Sequence, residues 1–427
     1  MKKMKERKTA LARAVLAQAA AVLALSLISI TAAYTSGSPG QAGTGSINGA
    51  PIGTAQASTA QAQPALPQRQ PPEVETVAGS GSHGHWDGGL ARFNMPMALA
   101  GDGKGGLIVA DTFNNLIRAI DAYRDVQTLA GSIRFIGFDN FPHGAYLDGG
   151  LETAGFSRPR GIAVNPDGWV FIADSGNHAI RVIVGGEVFT FAGGLGAGHA
   201  DGDANTARFN SPSALAVCPE GYVYVADTGN HAIRRVSPIG VTETIAGMPG
   251  SYGYMNGANL SALFDSPMGI ALSGSGRIYV SDTGNHAIRV ISGISGTASG
   301  RVDTFAGRRA FLESGGSGSS IHPDEWDAAP AGGFEDGASD RAMFNSPKGL
   351  SFWGDMLIVA DSSNHSIRII SPDGEARTLA GTGYPDYIGG AIEAAAFHFP
   401  SGVYVFEDRL FIADMGNNKI RSLSLLP

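Results

Sequence analysis

From residue 73 onward the chain alternates short apolar runs with turns of Gly, Asp, Asn, Ser and Pro. Runs such as Tyr222-Val-Tyr-Val-Ala226 are too short for helices and rich in β-branched and aromatic residues, which predicts strands. Val170-Phe-Ile-Ala173 is apolar throughout rather than alternating, as expected for a sheet covered on both faces. The pattern recurs. Phe-x-x-Pro, then Asp-x-x-Asn, then Ile-Arg repeats around Asp111, Asp174, Asp227, Asp282, Asp361 and Asp414. Thr-x-Ala-Gly follows the first five copies, starting at Thr128, Thr190, Thr244, Thr304 and Thr378, while the sixth tag, Thr76 to Gly79, precedes the first copy. A ring needs this permutation, because an N-terminal strand then completes the last sheet and leaves no open edge. The chain is therefore read as all-β: a six-bladed β-propeller with four-stranded blades, closed by an N-terminal strand in the last blade. In the second repeat the strands are expected at 159–164, 169–173, 179–183 and 188–192, with Asp167-Gly168 turning between the first two.

Each repeated residue has a structural task that explains its recurrence. Phe93, Phe156, Phe209, Phe264, Phe344 and Phe397 are expected to fill the wedges between blades. Asp-x-x-Asn closes the turn between second and third strands, where short polar side chains bond the backbone. Arg118, Arg181, Arg234, Arg289, Arg368 and Arg421 are expected to pair with carboxylates between blades. His178, His231, His286 and His365 follow the repeated Asn, with Asn115 and Asn418 in that place in blades 1 and 6. One histidine per blade keeps them too far apart for a metal, and replacement by Asn fits a hydrogen-bonding turn residue.

Charge and composition add an address. Residues 1–33 carry a basic head and the apolar stretch Ala14 to Ala33, an export signal or an uncleaved N-terminal membrane anchor. Residues 34–72 are Gly, Ser, Ala, Gln, Thr and Pro, a flexible linker; residues 73–427 form the propeller. The first 33 residues hold six Lys or Arg and one acidic residue, so the remainder has net charge −13 against −8 for the whole chain. An acidic domain of this kind is a poor partner for nucleic acid. The single cysteine, Cys218, cannot form an internal disulfide and is read as a buried structural residue. Asp201-Gly-Asp203-Ala-Asn205 begins like a calcium loop, but Thr206 and Pro212 occupy the places of its glycine and its final acid.

Pro-x-Gly-Ile-Ala-Val and Val-x-Val-Ala-Asp-Thr/Ser-Gly-Asn-His-x-Ile-Arg resemble the NHL repeat, and the likeness covers nearly all of residues 74–427. The longer unit, from Asp-Gly ahead of the Phe to Thr-x-Ala-Gly, is similar to exported bacterial NHL-repeat proteins. That resemblance implies a propeller but not one activity, since the family spans protein-binding scaffolds, peptidyl-hydroxyglycine lyases and more distant lactonase-like propellers. In such propellers ligands sit at the axial mouth on the face bearing the blade-to-blade loops. The residue after each repeat proline should ring that mouth: Met97, Arg160, Ser213, Met268, Lys348 and Ser401. These are not metal ligands, so no metal or other cofactor is expected. Arg160 and Lys348 fall on opposite blades and predict a mouth that accepts an anion. Aspartate spacings of 63 and 79 residues, against 53 or 55 elsewhere, place long segments before blades 2 and 5. The longer contains His322 and Trp326, read as a lid loop. The expectation is an exported, monomeric, non-catalytic scaffold, extracellular or in the cell envelope, that engages protein or acidic glycan through its loop face. The alternative is a channel-mouth enzyme of the lyase or lactonase type.

Overall fold

The computed structural model describes residues 72–132, 143–293, 300–307 and 332–426. The expected export segment and all but the end of the linker lie outside that range. Six antiparallel sheets form the propeller, and no α-helix occurs among the described residues. In the second blade the strands are Pro159–Val164, Val170–Asp174, Ala179–Val184 and Glu187–Gly193, in that order from the axis outward. Strands begin and end within about two residues of the sequence expectation. The last blade takes its outer strand from Glu73–Ala78, which pairs antiparallel with Lys419–Ser424 through Thr76↔Arg421. Hydrogen bonds between the two ends of the chain thus close the ring.

Between blades the repeated phenylalanines are fully or nearly fully buried. Phe93 packs with Leu99 and Val109 of blade 1 and with Ala413 and Ile420 of blade 6. Phe209 joins Ile180 and Val182 of blade 2 to Val223 and Val225 of blade 3. Each such ring withdrawn from water contributes on the order of 1.5–3 kcal/mol, and six make the wedges continuous around the axis.

The largest buried side chains beside them are arginines. Arg234 and Asp227 are both 0% exposed and bonded at 2.7 Å, and the other blades repeat the pair. Contrary to the inter-blade pairing expected from sequence, each arginine is held within its own blade. Its second amino group reaches the loop leading into that blade: Asp87, Asp148, Asp201 and Asp336 accept in blades 1, 2, 3 and 5, and Asn256 in blade 4. Arg421 in blade 6 instead donates to the Ile388 carbonyl. The guanidinium also lies 5.2 Å over the wedge ring in blade 3, Arg234 above Phe209. Tyr146, Tyr254, Phe334 and Tyr387 cover the arginines of blades 2, 4, 5 and 6 at 4.7 to 5.1 Å.

What does pass between blades is the cap residue of the Asp-x-x-Asn turn. His178, His231, His286 and His365 have left-handed backbones, as do Asn115 and Asn418. Each histidine Nδ1 accepts the backbone N–H of the next blade, from Ser211, Ser266, Ser346 and Phe399 at 2.9 to 3.1 Å. Asn115 accepts from Arg158 and Asn418 from Met95 in the same way, the last bond joining blade 6 to blade 1. Thr112, Thr228 and Thr283 add a hydroxyl bond to the carbonyl of the next blade's proline, each at 2.7 Å. Cys218 is half-buried against the wedge between blades 3 and 4, and burial pushes its thiol up to about 11.

Two predictions follow from these contacts. Arg234→Leu leaves Asp227 buried without its counter-charge, and urea unfolding is expected to show a loss of roughly 3–5 kcal/mol. The histidines accept at Nδ1 only while neutral, and burial holds all four below the usual imidazole value. The unfolded chain therefore binds more protons as pH falls below about 6.5, so this contribution is present above that pH and lost beneath it. Replacing all four by Asn, the residue already used at 115 and 418, should flatten the fall in melting temperature between roughly pH 7.5 and 5.

Candidate functional site

The innermost strands start at the face where the Asp-x-x-Asn turns and the blade-to-blade loops lie, and their first residues surround the axis. Met97, Arg160, Ser213, Met268, Lys348 and Ser401 all line one cavity, of about 560 Å³ including the solvent at its mouth. The six positions expected from sequence are thus brought together. Below them the walls are apolar, with Leu99, Ile162, Leu215, Ile270, Leu350 and Val403 completing the lining. Close approach of the inner strands makes this ring narrow. A Cβ on Gly161 would stand 2.6 Å from the Ser213 carbonyl oxygen, and one on Gly349 would stand 2.5 Å from that of Ser401. Glycine lets neighbouring backbones touch there.

The six residues do not contribute alike. Ser213 and Ser401 are buried, and their hydroxyls are spent on the scaffold: Ser401 donates to the Met97 carbonyl at 2.8 Å, and Ser213 bonds Thr228. Met97 and Met268 offer flexible apolar surface. Arg160 and Lys348 carry the charge. Neither pairs with a carboxylate among the described residues, and no Asp, Glu or His is in the lining. Burial and the neighbouring Arg158 lower the Arg160 value. Burial, then the Arg160 guanidinium, pushes the Lys348 ammonium down to about 8. Two partly desolvated cations therefore face one cavity and repel each other, an arrangement that an anion would relieve.

One supporting residue escaped the sequence reading. Five blades read Ala before the repeated Asp, whereas blade 4 reads Ser281. Its hydroxyl donates to the Lys348 carbonyl at 2.6 Å and fixes the strand that presents the lysine. The departure from an otherwise uniform alanine was the available signal. His322 and Trp326 lie outside the described residues. Among the described residues no three His, Cys, Asp or Glu side chains converge as a metal site.

Comparison with known proteins agrees with the repeat and the ring. A family model described as the NHL repeat matches residues 156–183 and 264–291, and the Teneurin NHL domain model matches 197–237. The chain carries NHL repeats. SUPPRESSOR OF QUENCHING 1, a chloroplastic protein of Arabidopsis thaliana, is 29% identical over 51% of this NHL propeller chain and 27% of its own length. NHL repeat-containing protein 2 of Gallus gallus is 27% identical over 60% of this chain and 44% of its own. The chain thus spans less than half the length of these relatives. An auxiliary nutrient binding protein from Bacteroides thetaiotaomicron superposes with a TM-score of 0.59 at 17% identity, covering 83% of this chain and 76% of that one, a likeness of fold alone.

The charge at the axis should be visible in stability. Lys348→Met removes a desolvated ammonium and its repulsion with Arg160 while keeping most of the volume, so at pH 7 the variant should be more stable by roughly 1–4 kcal/mol. Because folding lowers the lysine value, the unfolded chain binds more protons between about pH 8 and 10.5, and the wild type gains stability as pH rises through that window. Urea titrations at pH 7 and 10 should show the advantage of the variant shrinking.

Proposed function

We propose that this NHL propeller is an exported binding scaffold, extracellular or in the cell envelope, whose axial mouth receives an anionic group of its partner. The group is a carboxylate, presented by an acidic glycan or by a protein. The observation that carries the reading is the placement of Arg160 and Lys348 on opposite blades of one cavity that is lined by no acid among the described residues. In a chain whose sequence beyond residue 33 has net charge −13, that mouth is a local reversal of sign. The cap residues of the Asp-x-x-Asn turns are engaged in blade-to-blade bonds, whereas neither cation pairs with a carboxylate among the described residues. The cavity combines apolar walls with two convergent polar groups, the make-up of a small-ligand site. A propeller fold shared with a nutrient binding protein suits that role; the charge of the cavity carries it. The export segment 1–33 supports the location, and the acidity of the remainder supports partners other than nucleic acid.

Glycan-array and pull-down screens of the protein are expected to return acidic ligands whose affinity falls with salt. Changing Arg160 and Lys348 together to Glu should abolish that binding with the circular dichroism spectrum preserved. Unchanged affinity in the double variant would dispose of the axial site.

A further inference from the structure

Beyond residue 8 the chain has three lysines, Lys104, Lys348 and Lys419, and they are placed very differently. Lys104 is exposed in a turn. Lys419 is occupied, its Nζ donating to the Gly79 carbonyl at 3.0 Å and lying 4.3 Å from the centre of the Tyr387 ring. Lys348 stands in the axial cavity, with Arg160 across it and Met97 and Met268 between them around the ring. Its backbone is pinned by Ser281, so the side chain is presented from a fixed strand.

Resting on the anion-accepting reading above, we propose that Lys348 captures small 2-oxo acids as a reversible imine, with Arg160 holding their carboxylate. The lone pair of the neutral amine attacks the carbonyl carbon, giving a carbinolamine. Loss of the former carbonyl oxygen as water, with protons drawn from the amine and from solvent, leaves the C=N bond. No oxidant or reductant enters, and hydrolysis returns the free lysine and the oxo acid. Three features of the site favour this chemistry. An ammonium beside a guanidinium in a partly dry cavity gives up its proton more readily than an exposed one, so a fraction on the order of a tenth is nucleophilic amine near pH 7. The carboxylate of the ligand neutralises Arg160, and imine formation joins carbonyl and amine at a fixed position rather than by chance encounter. Among the described residues the lining holds no carboxylate to retain the lysine as a salt-bridged ammonium.

The test uses the full-length protein with glyoxylate or pyruvate and cyanoborohydride, which reduces an imine to a stable secondary amine, followed by peptide mass mapping. Lys348 is expected to be modified roughly tenfold faster than Lys104. Arg160→Met should lower the ratio of oxo-acid to acetaldehyde labelling, since acetaldehyde has no carboxylate and both reagents share the loss of free amine that follows removal of the guanidinium. Lys348→Arg, which keeps the charge, should remove the adduct and retain the fold. Labelling of Lys348 no faster than that of Lys104, or equal labelling by acetaldehyde and oxo acid in both wild type and Arg160→Met, would overturn the proposal. Protection of Lys348 from trinitrobenzenesulfonate by acetate separates the two readings. Protection without an adduct rejects the imine and keeps the anion site, whereas neither protection nor adduct rejects both.

Discussion

A carboxylate with no contact with water stands at the centre of every blade, and the other parts of the blade are arranged to satisfy it. In blade 3 one oxygen of Asp227 accepts the backbone N–H of Asn210, next to the wedge residue Phe209. The other accepts from Asn230 in the turn and from Arg234 on the third strand. Burial alone would push this carboxyl up, and it does so to about 6 even against the guanidinium and three hydrogen bonds. A group that costs so much to bury leaves few alternative arrangements for the loop, the turn and the strand that surround it. Through Asn210 the same carboxylate fixes the approach to the repeat proline, and so fixes where the next residue meets the axis.

Because the network is repeated, the axial ring is a set of equivalent places at which side chains can differ without disturbing the scaffold. The differences are informative for that reason. Two places carry serines that turn their hydroxyls back into the framework, two carry methionines, and two carry cations on opposite blades. The two long blade-to-blade segments enter these same cationic blades, 2 and 5. Individuality in this protein is thus concentrated on one axis through the ring, while the remaining positions keep the blades in register. A cation held partly out of water is unfavourable for folding, and that cost is the mark of a position shaped by something other than stability.

Much of this was legible in the chain. Periodicity fixes the number of blades, and the displaced Thr76 to Gly79 tag fixes how the ring closes, because each repeat can bury its faces only against its neighbours. The substitution of Asn for His at 115 and 418 correctly indicated a hydrogen-bond acceptor, since both residues offer one acceptor at the same reach. Position after the repeat proline identified the six axial residues, as equivalent sites in a ring must share a radius.

Other features were decided only by the folded chain. The partner of each arginine could not be read from spacing, because Asp201 and Asp227 lie 33 and 7 residues from Arg234 and meet it only when the loop folds back over the blade. Sequence placed Ser213 and Ser401 at the mouth but could not show that their hydroxyls are taken up by the framework, Ser213 with Thr228 of its own blade and Ser401 with the Met97 carbonyl of the next. Nor could it show that Arg160 and Lys348 stand in one cavity without a carboxylate among the described residues, which depends on where the other charges come to rest. The sequence by itself determined the repeat, the closure and the ring, since these follow from local pattern applied six times. The tertiary structure decided the charge partners and the character of the cavity, because those depend on contacts between residues far apart in the chain.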